Sequence, residues 1–206
     1  MQRISVAILI FLLWGMPLRA ETLTLLALGD SLTAGLGLDA SQAFPAQLEK
    51  ALRNRGHDVS VINAGVSGDT ALQGAERLDW ALTPEVDGVL VELGANDALR
   101  GLPVDQAEAA LDQIVSKLVA KEVPVLVLGM KAPPNLGADY GKGFDGMYVR
   151  LVKKHGVALY PFFLEGVVAN RNLNQPDGIH PTEEGVGIIV AKLLPDVEKL
   201  LGVIRP

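Results

Sequence analysis

A serine, an aspartate and a histidine in this chain are spaced so that they could perform nucleophilic catalysis together. Ser31 lies in ALGDSLTAGLG at 27–37, whereas Asp177 and His180 belong to DGIHP at 177–181. A serine hydroxyl is a weak nucleophile until a neighbouring base accepts its proton, a task that suits histidine near neutral pH. A carboxylate bonded to the other ring nitrogen fixes the histidine tautomer. Because Asp177 precedes His180 by three residues, one tight turn can hold both side chains.

Attack on an acyl carbonyl would also require hydrogen-bond donors for the oxyanion that forms. The candidate donors are the backbone N–H groups of Ser31 and Gly68 and the side-chain amide of Asn96. Each residue also has a purely structural interpretation, since Ser31 could cap a helix, Gly68 could form a turn and Asn96 could be a loop amide. DGIHP could likewise be a turn that closes onto a helix. Their joint placement favours the catalytic interpretation.

The elements that must position these residues follow from short apolar runs bounded by turn residues. Five such runs predict strands buried on both faces, at 23–29, 59–65, 88–94, 123–129 and 156–161. Helical spacing is found in 41–56, 104–121 and about 182–201. This alternation predicts a parallel sheet with helices on both faces, in which ligands bind beyond the carboxyl ends of the strands. The candidate residues that follow the first three strands therefore share one edge.

Two further expectations concern this edge of the sheet. The long irregular stretch at 131–145 follows the fourth predicted strand, and we expect it to have a binding role.

Of the three histidines, His57 and His155 lie where a helix ends and a strand begins, which is the opposite edge of the sheet. We expect both to be helix-end residues at the negative dipole terminus. Only His180 is on the side of the candidate serine.

A carboxylate metal site is a rival interpretation of three aspartates that follow strands, Asp30, Asp69 and Asp97. Glycine-flanked aspartates more often form turns and accept hydrogen bonds from neighbouring backbone, so we predict no metal. The chain has no cysteine, which excludes thiolate metal sites, cysteine nucleophiles and disulfides.

The first twenty residues have the pattern of a secretory signal peptide. A basic start at Arg3 is followed by an apolar run from Ile4 to Trp14 and by Ala20 before the polar Glu21. Leu18 is larger than the usual residue three before a cleavage point, so an uncleaved anchor is the alternative. Removing 1–20 removes two arginines and no acid, which changes the formal charge from −6 to −8. The net negative charge of residues 21–206 argues against nucleic acid as a partner. We expect these residues to form one domain, located in the periplasm or outside the cell.

Four short motifs resemble the sequence blocks of the SGNH, or GDSL, hydrolases. They are GDSL at 29–32, the glycine of SGDT at 67–70, the asparagine of GAND at 94–97 and DGIH at 177–180. The likeness covers essentially the whole mature chain. The longer strings LGDSLTAG, NAGVSGDT, VELGANDALRG and DGIHP look most like the branch of bacterial periplasmic thioesterases, lysophospholipases and arylesterases.

The resemblance implies a flavodoxin-like, three-layer α/β/α fold with a mainly parallel five-stranded sheet and no metal or organic cofactor. It implies Ser31 as nucleophile, His180 as base, Asp177 as the residue that orients the base, and an oxyanion hole formed by the three donors above. Contacts with substrate are expected from Asp30, Asn135, Leu136 and Ile179. Thr33 occupies the place of the second glycine of a GxSxG motif, which disfavours the α/β-hydrolase fold.

The function implied is hydrolysis of small-molecule carboxylic esters and thioesters through an acyl-enzyme, without stable membrane insertion after cleavage of the signal peptide. Two alternatives stay open: a carbohydrate O-acetylesterase of the same fold, and a non-catalytic protein that binds acyl chains. The sequence sets no oligomeric state. Two departures from the family pattern are Gly65, where well-known relatives have serine, and details of the 131–145 segment.

Overall fold

Strands and helices alternate along residues 22–204, the part of the chain that this computed structural model describes. The strands are β1 (Leu23–Gly29), β2 (Val59–Gly65), β3 (Gly88–Glu92), β4 (Val125–Leu128) and β5 (Ala158–Tyr160). The helices are α1 (Ser31–Ala34), α2 (Phe44–Asn54), α3 (Ala71–Ala81), α4 (Ala95–Leu99), α5 (Val104–Ala120), α6 (Ala138–His155) and α7 (Glu183–Ile204). The signal peptide predicted over 1–20 lies outside the described residues. No helix between 22 and 204 is long and apolar enough to cross a membrane.

The five strands form one sheet in the order β2-β1-β3-β4-β5, and every neighbouring pair is parallel. This is the flavodoxin-like strand order, whose direction of winding changes between β1 and β3. Gly29 at the end of β1 is in register with Gly65 of β2 and Glu92 of β3. The segments that follow these three strands therefore start at one level, and the predicted α/β fold is confirmed.

Helices cover both faces of the sheet. α2 packs against α7 on one side, while α3, α5 and α6 pack in series on the other. Strand residues that point to either face are consequently buried, as Leu25, Leu26 and Leu28 of β1 illustrate with no exposed surface. In α2, Phe44, Leu48 and Leu52 are buried, as their spacing of one turn predicts.

The segment 131–145 is not one long irregular stretch, contrary to the sequence prediction. Pro134–Leu136 form a short 3-10 turn, and α6 begins at Ala138. Several glycines near the start of α6 disfavour a helix locally, which is why the sequence reads as a loop. The helix forms because its apolar face is buried in the core, through Phe144, Met147, Tyr148 and Leu151.

Candidate active site

Ser31 is the first residue of α1, a single helical turn that begins directly after β1. The carboxylate of Asp30 caps this turn, because its Oδ1 accepts a hydrogen bond from the N–H of Leu32 at 2.9 Å. Gly35 ends the turn with φ of 81°, in the left-handed region that glycine adopts without strain. The serine is thereby held at the edge of the sheet where the first three strands end.

The side chains of Ser31, His180 and Asp177 form a continuous chain of hydrogen bonds. Oγ of Ser31 lies 2.8 Å from Nε2 of His180, and Nδ1 of His180 lies 2.6 Å from Oδ2 of Asp177. Because the ionised carboxylate can only accept, Nδ1 carries the ring hydrogen and Nε2 of the neutral ring is free to accept from the serine. The three residue types that the sequence singled out for nucleophilic catalysis are thus in contact.

Asp177 is oriented by the turn that it belongs to. Its Oδ1 accepts hydrogen bonds from the backbone N–H groups of Ile179 at 2.9 Å and His180 at 3.0 Å. The hydrogen bond from the His180 ring, followed by these two backbone donors, lowers the pKa of Asp177 to about 2. Its side chain is 44% exposed, whereas that of His180 is only 14% exposed.

The loop that carries His180 is fastened to the segment after α1 by Gln175. Nε2 of Gln175 donates to the carbonyl of Leu36 at 2.8 Å and to that of Pro181 at 3.0 Å. The backbone of the same loop is closed by a bridge between Asn174 and Pro181. These bonds hold the histidine loop against the part of the chain that carries the serine.

The backbone N–H groups of Ser31 and Gly68 at this edge have no acceptor among the described residues. Gly68 has φ of 89°, a left-handed conformation that a residue with a side chain adopts only under strain. Its carbonyl accepts a hydrogen bond from Nη2 of Arg100 at 2.6 Å. Both N–H groups therefore remain available to a ligand beside the serine.

Asn96, the third candidate donor, lies in α4 with its amide directed at the same corner. Nδ2 donates to Oδ2 of Asp30 and to the carbonyl of Asp69, both at 3.0 Å. The two amide hydrogens are therefore both engaged in this structure. The bond to the Asp30 carboxylate is charge-assisted and hence the stronger of the two, so a ligand oxygen would compete with the Asp69 carbonyl.

The three aspartates considered as metal ligands are instead bound within the protein. Asp69 forms an ion pair with Nε of Arg77 at 2.6 Å, and Asp97 accepts a hydrogen bond from the N–H of Ala71 at 2.8 Å. Asp30 is fully buried, and burial raises its pKa to about 6. Among residues 22–204, no group of three histidine or acidic side chains is placed to hold a metal ion.

A cavity of about 740 Å³ opens beside Ser31, and most of its lining is apolar. The apolar side chains include Leu36, Leu99, Met130, Pro133, Pro134, Phe162, Leu164, Val168 and Ile179. Of the four residues expected to contact substrate, Asp30 and Ile179 line the cavity, whereas Asn135 and Leu136 do not. A 3-10 turn begins at Pro134. Residues 131–134 line the cavity, whereas the two residues after them in this turn do not.

Comparison with known proteins agrees with the sequence motifs and with this geometry. A family model described as the GDSL-like lipase/acylhydrolase family matches residues 27–188. The chain belongs to this family. It is 40% identical over 184 residues to the esterase TesA of Pseudomonas aeruginosa, an alignment that covers 89% of this chain and 92% of that protein.

Two further relatives are similar over most of their length. The Escherichia coli protein named thioesterase 1/protease 1/lysophospholipase L1 is 39% identical over 179 residues, covering 86% of this chain and 85% of that protein. The crystal structure of AlinE4, described as an SGNH-hydrolase family esterase, is 45% identical with a TM-score of 0.75, covering 88% of this chain and 98% of that chain. The family predicted from the four motifs is confirmed, and the protein is a hydrolase of the SGNH type.

The other two histidines of this SGNH hydrolase take no part in the site. Nε2 of His57 lies 3.1 Å from Glu198, and Nε2 of His155 lies 2.7 Å from Asp112. His155 ends α6 and His57 precedes β2, so both lie at the amino-terminal edge of the sheet. Their placement agrees with the prediction that they are helix-end residues.

Gly65, a departure from the family pattern, lies where α1 of the hydrolase packs closely against β2. A Cβ atom built on Gly65 would lie 2.2 Å from the backbone nitrogen of Ala34. A serine at this position would therefore require the turn that carries Ser31 to move. The glycine permits a closer approach of this turn to the sheet.

Sequence reasoning missed several residues of the hydrolase that hold the site together. Arg77 donates to the carbonyls of Ala64 and Gly29 at 2.8 Å each, and so ties the ends of β2 and β1 together. No sequence signal marked it, because an arginine in a helix usually faces solvent. Glu92 was also missed, although an acid at the end of an otherwise apolar strand is a detectable signal.

Proposed function

We propose that this SGNH hydrolase cleaves carboxylic esters and thioesters through an acyl-enzyme formed on Ser31. The observation that carries the proposal is the hydrogen-bonded chain from Ser31 through His180 to Asp177, with contacts of 2.8 and 2.6 Å. An alcohol becomes a competent nucleophile when a base of this kind takes its proton as it attacks. The names of the relatives, esterase and thioesterase, support the same reaction class.

Acylation would begin with the transfer of the Ser31 hydroxyl proton to Nε2 of His180 as Oγ bonds to the acyl carbon. The carbonyl electrons move to the oxygen, and the imidazolium is stabilised by the carboxylate of Asp177. Collapse of the tetrahedral intermediate breaks the bond to the leaving alcohol or thiol, which receives the proton from His180. A water molecule then attacks the acyl carbon as it gives a proton to His180. Collapse of this second intermediate breaks the bond to Oγ of Ser31, which takes the proton back from His180 as the acid is released.

The oxyanion would be bound by the N–H groups of Ser31 and Gly68 and by the amide of Asn96. The two backbone N–H groups have no acceptor among the described residues, so they can bind the oxyanion without breaking a bond. The Asn96 amide would exchange its bond to the carbonyl of Asp69 for one to the oxyanion and keep its bond to Asp30. Donors that are fixed in advance cost little reorganisation in the transition state.

The apolar cavity favours an acyl chain or an aryl group as the part of the substrate that is bound. Its lining offers mostly aliphatic, proline and phenylalanine side chains, to which a polar sugar ring would lose its hydrogen bonds to water. This supports esterase and thioesterase activity over carbohydrate deacetylation. The cavity alone would also fit an acyl-chain binding protein, but such a protein would not need a serine bonded to a histidine.

Covalent trapping tests the proposal directly. A p-nitrophenyl alkylphosphonate should transfer its phosphonyl group to Oγ of Ser31 and release p-nitrophenolate, and peptide mass mapping should locate the adduct. His180→Ala should slow the labelling strongly, whereas His57→Ala should not change its rate. An adduct on another residue, or equal labelling of His180→Ala, would contradict the assignment of nucleophile and base.

Export by a cleaved signal peptide is also part of the proposal, supported by the basic start and short apolar run of residues 1–20. Expression of the full chain in a Gram-negative host, followed by amino-terminal sequencing, tests it. A periplasmic protein beginning near Glu21 is expected. An intact amino terminus in the membrane fraction would instead establish an uncleaved anchor.

A further inference from the structure

Glu92 is a buried acid directly behind the nucleophile, and the reaction described above does not use it. It ends β3, is only 1% exposed and is the one acidic residue of that strand. Its Oε2 accepts hydrogen bonds from Oγ1 of Thr33 at 2.9 Å and from the N–H of Asp30 at 3.4 Å. Its Oε1 has no hydrogen-bond partner among the described residues. An ionised carboxylate with an unpartnered oxygen would be costly in this position.

Glu92 accepts a hydrogen bond from the backbone N–H of Asp30 and both residues are buried, so ionisation of both acids at once is unfavourable. Burial, followed by the charge of Asp30, raises the pKa of Glu92 well above its ordinary value. Both carboxylate oxygens of Asp30 accept a hydrogen bond, one from the N–H of Leu32 and one from the amide of Asn96, whereas only one oxygen of Glu92 does. The proton therefore resides on Glu92, and Asp30 is the carboxylate.

We propose that Glu92 is a positioning residue of the oxyanion hole, whose neutral carboxyl group accepts from the backbone N–H of Asp30 and so holds the carboxylate of that residue against the amide of Asn96. The inference rests on the role proposed for Asn96. The line of contacts runs from Glu92 through Asp30 to the Asn96 nitrogen, with Asp30 directly preceding Ser31 in the chain. Glu92 acts on the reaction through these residues and does not line the cavity.

Disturbing this line should affect the transition state more than the ground state. The substrate carbonyl gains its full negative charge only in the tetrahedral intermediate, so a misdirected donor lowers kcat and leaves KM nearly unchanged. A general loss of packing would lower the fraction of folded enzyme, and with it the apparent kcat at unchanged KM. The kcat per active site, with the sites counted by phosphonate labelling of Ser31, therefore separates positioning from packing.

Three variants make the test. Glu92→Gln keeps an oxygen that accepts from the N–H of Asp30 and the hydroxyl of Thr33, so its kcat on a p-nitrophenyl ester should stay within about threefold of wild type. Glu92→Met keeps the length but removes this acceptor, and its kcat should fall by about 10- to 100-fold, less than the loss of an oxyanion donor itself. Thr33→Val is the matched control, since it removes a hydrogen bond to Glu92 and leaves the contact with Asp30, and it should retain kcat within about threefold.

The protonation of Glu92 has its own readout in thermal unfolding. A carboxyl group whose pKa is higher in the folded state destabilises the protein as pH rises through the unfolded value toward the folded one. Glutamine does not titrate. The free energy of unfolding of Glu92→Gln minus that of wild type should therefore increase from pH 4.5 to pH 8. The other titratable groups that act on this carboxyl, Asp30 and Tyr148, are the same in both proteins.

The outcomes separate this inference from the proposed function. Full kcat in folded Glu92→Met, a large loss of kcat in Glu92→Gln, or a stability difference that does not change with pH would each overturn the role of Glu92. If Glu92→Met does not fold, Glu92→Gln, Thr33→Val and the pH dependence decide the matter. Failure of the proposed function would appear elsewhere, as undiminished turnover in Ser31→Ala or Asn96→Ala.

Discussion

Oγ of Ser31 lies 2.8 Å from Nε2 of His180, although the two residues are 149 positions apart in the chain. The end of β1 fixes the serine, and the loop before α7 fixes the histidine. Gln175 links these two segments through the carbonyl of Leu36. The proposed acyl-enzyme chemistry depends on this one contact, and the predictions below test the groups around it.

Asn96→Ala should lower kcat roughly 100- to 1,000-fold, because one side-chain donor to the oxyanion is lost. The change also removes the amide that bridges Asp30 and Asp69, so the unfolding temperature should be measured alongside the kinetics. The exposed Asn54→Ala at the end of α2 is the control and should retain wild-type turnover. Near-wild-type turnover by Asn96→Ala would remove this residue from the mechanism.

Asp177→Asn should reduce kcat on the order of 100- to 1,000-fold, because an amide can present its NH₂ group to His180 and favour the wrong tautomer. We expect a smaller loss than for a buried aspartate, since the Asp177 side chain is 44% exposed and water can partly replace it. The pKa of about 2 keeps this carboxylate ionised near neutral pH, so it should not contribute to an acid limb there. Steady-state kinetics across pH checks both points, and an unchanged kcat would rule out the orienting role.

His57→Ala and His155→Ala should leave the chemical step unchanged. Each removes a side-chain contact with Glu198 or Asp112 far from the cavity, so we expect the free energy of unfolding to fall by at most about 1 kcal/mol. Urea titrations and kcat measured in parallel test this. A large loss of turnover in a stably folded variant would overturn the choice of His180 as the base.

Asp30→Asn should change how stability depends on pH. Burial raises the pKa of Asp30 from 3.8 to about 6, so the folded protein holds a proton that the unfolded chain has lost, and wild-type stability falls as pH rises across this interval. The free energy of unfolding of Asp30→Asn minus that of wild type should therefore increase from pH 4 to pH 7, by on the order of 1–3 kcal/mol. A difference that is constant with pH would show that Asp30 titrates normally.

Motif spacing was sufficient to predict the family and the residues that meet at the strand ends. Ser31, Gly68 and Asn96 follow three adjacent parallel strands, so the topology alone places them at one edge. The position of His180 could be predicted by elimination because the chain has only three histidines. These inferences depend on the order of the motifs and on the spacing of apolar residues, both of which can be seen directly in a sequence.

Long-range side-chain partners could not be predicted in the same way. The helical start of α6 depends on burial of Phe144 and Tyr148, which offsets the low helix propensity of nearby glycines. Asn135 was expected at the cavity because the segment read as a loop, but the 3-10 turn directs the chain away before it. The topology places the motifs of Asn96 and Asp30 at one edge, but the sequence does not show that these two side chains bond to each other.

Turnover of a p-nitrophenyl ester series from acetate to palmitate, by residues 21–206 and by their Ser31→Ala variant, tests the central claim most directly. The exposed Ser116→Ala of α5 serves as the control. We predict that wild type and Ser116→Ala hydrolyse the esters equally, and that Ser31→Ala loses at least about 1,000-fold in kcat while remaining folded. Comparable turnover by Ser31→Ala would contradict an acyl-enzyme on this serine.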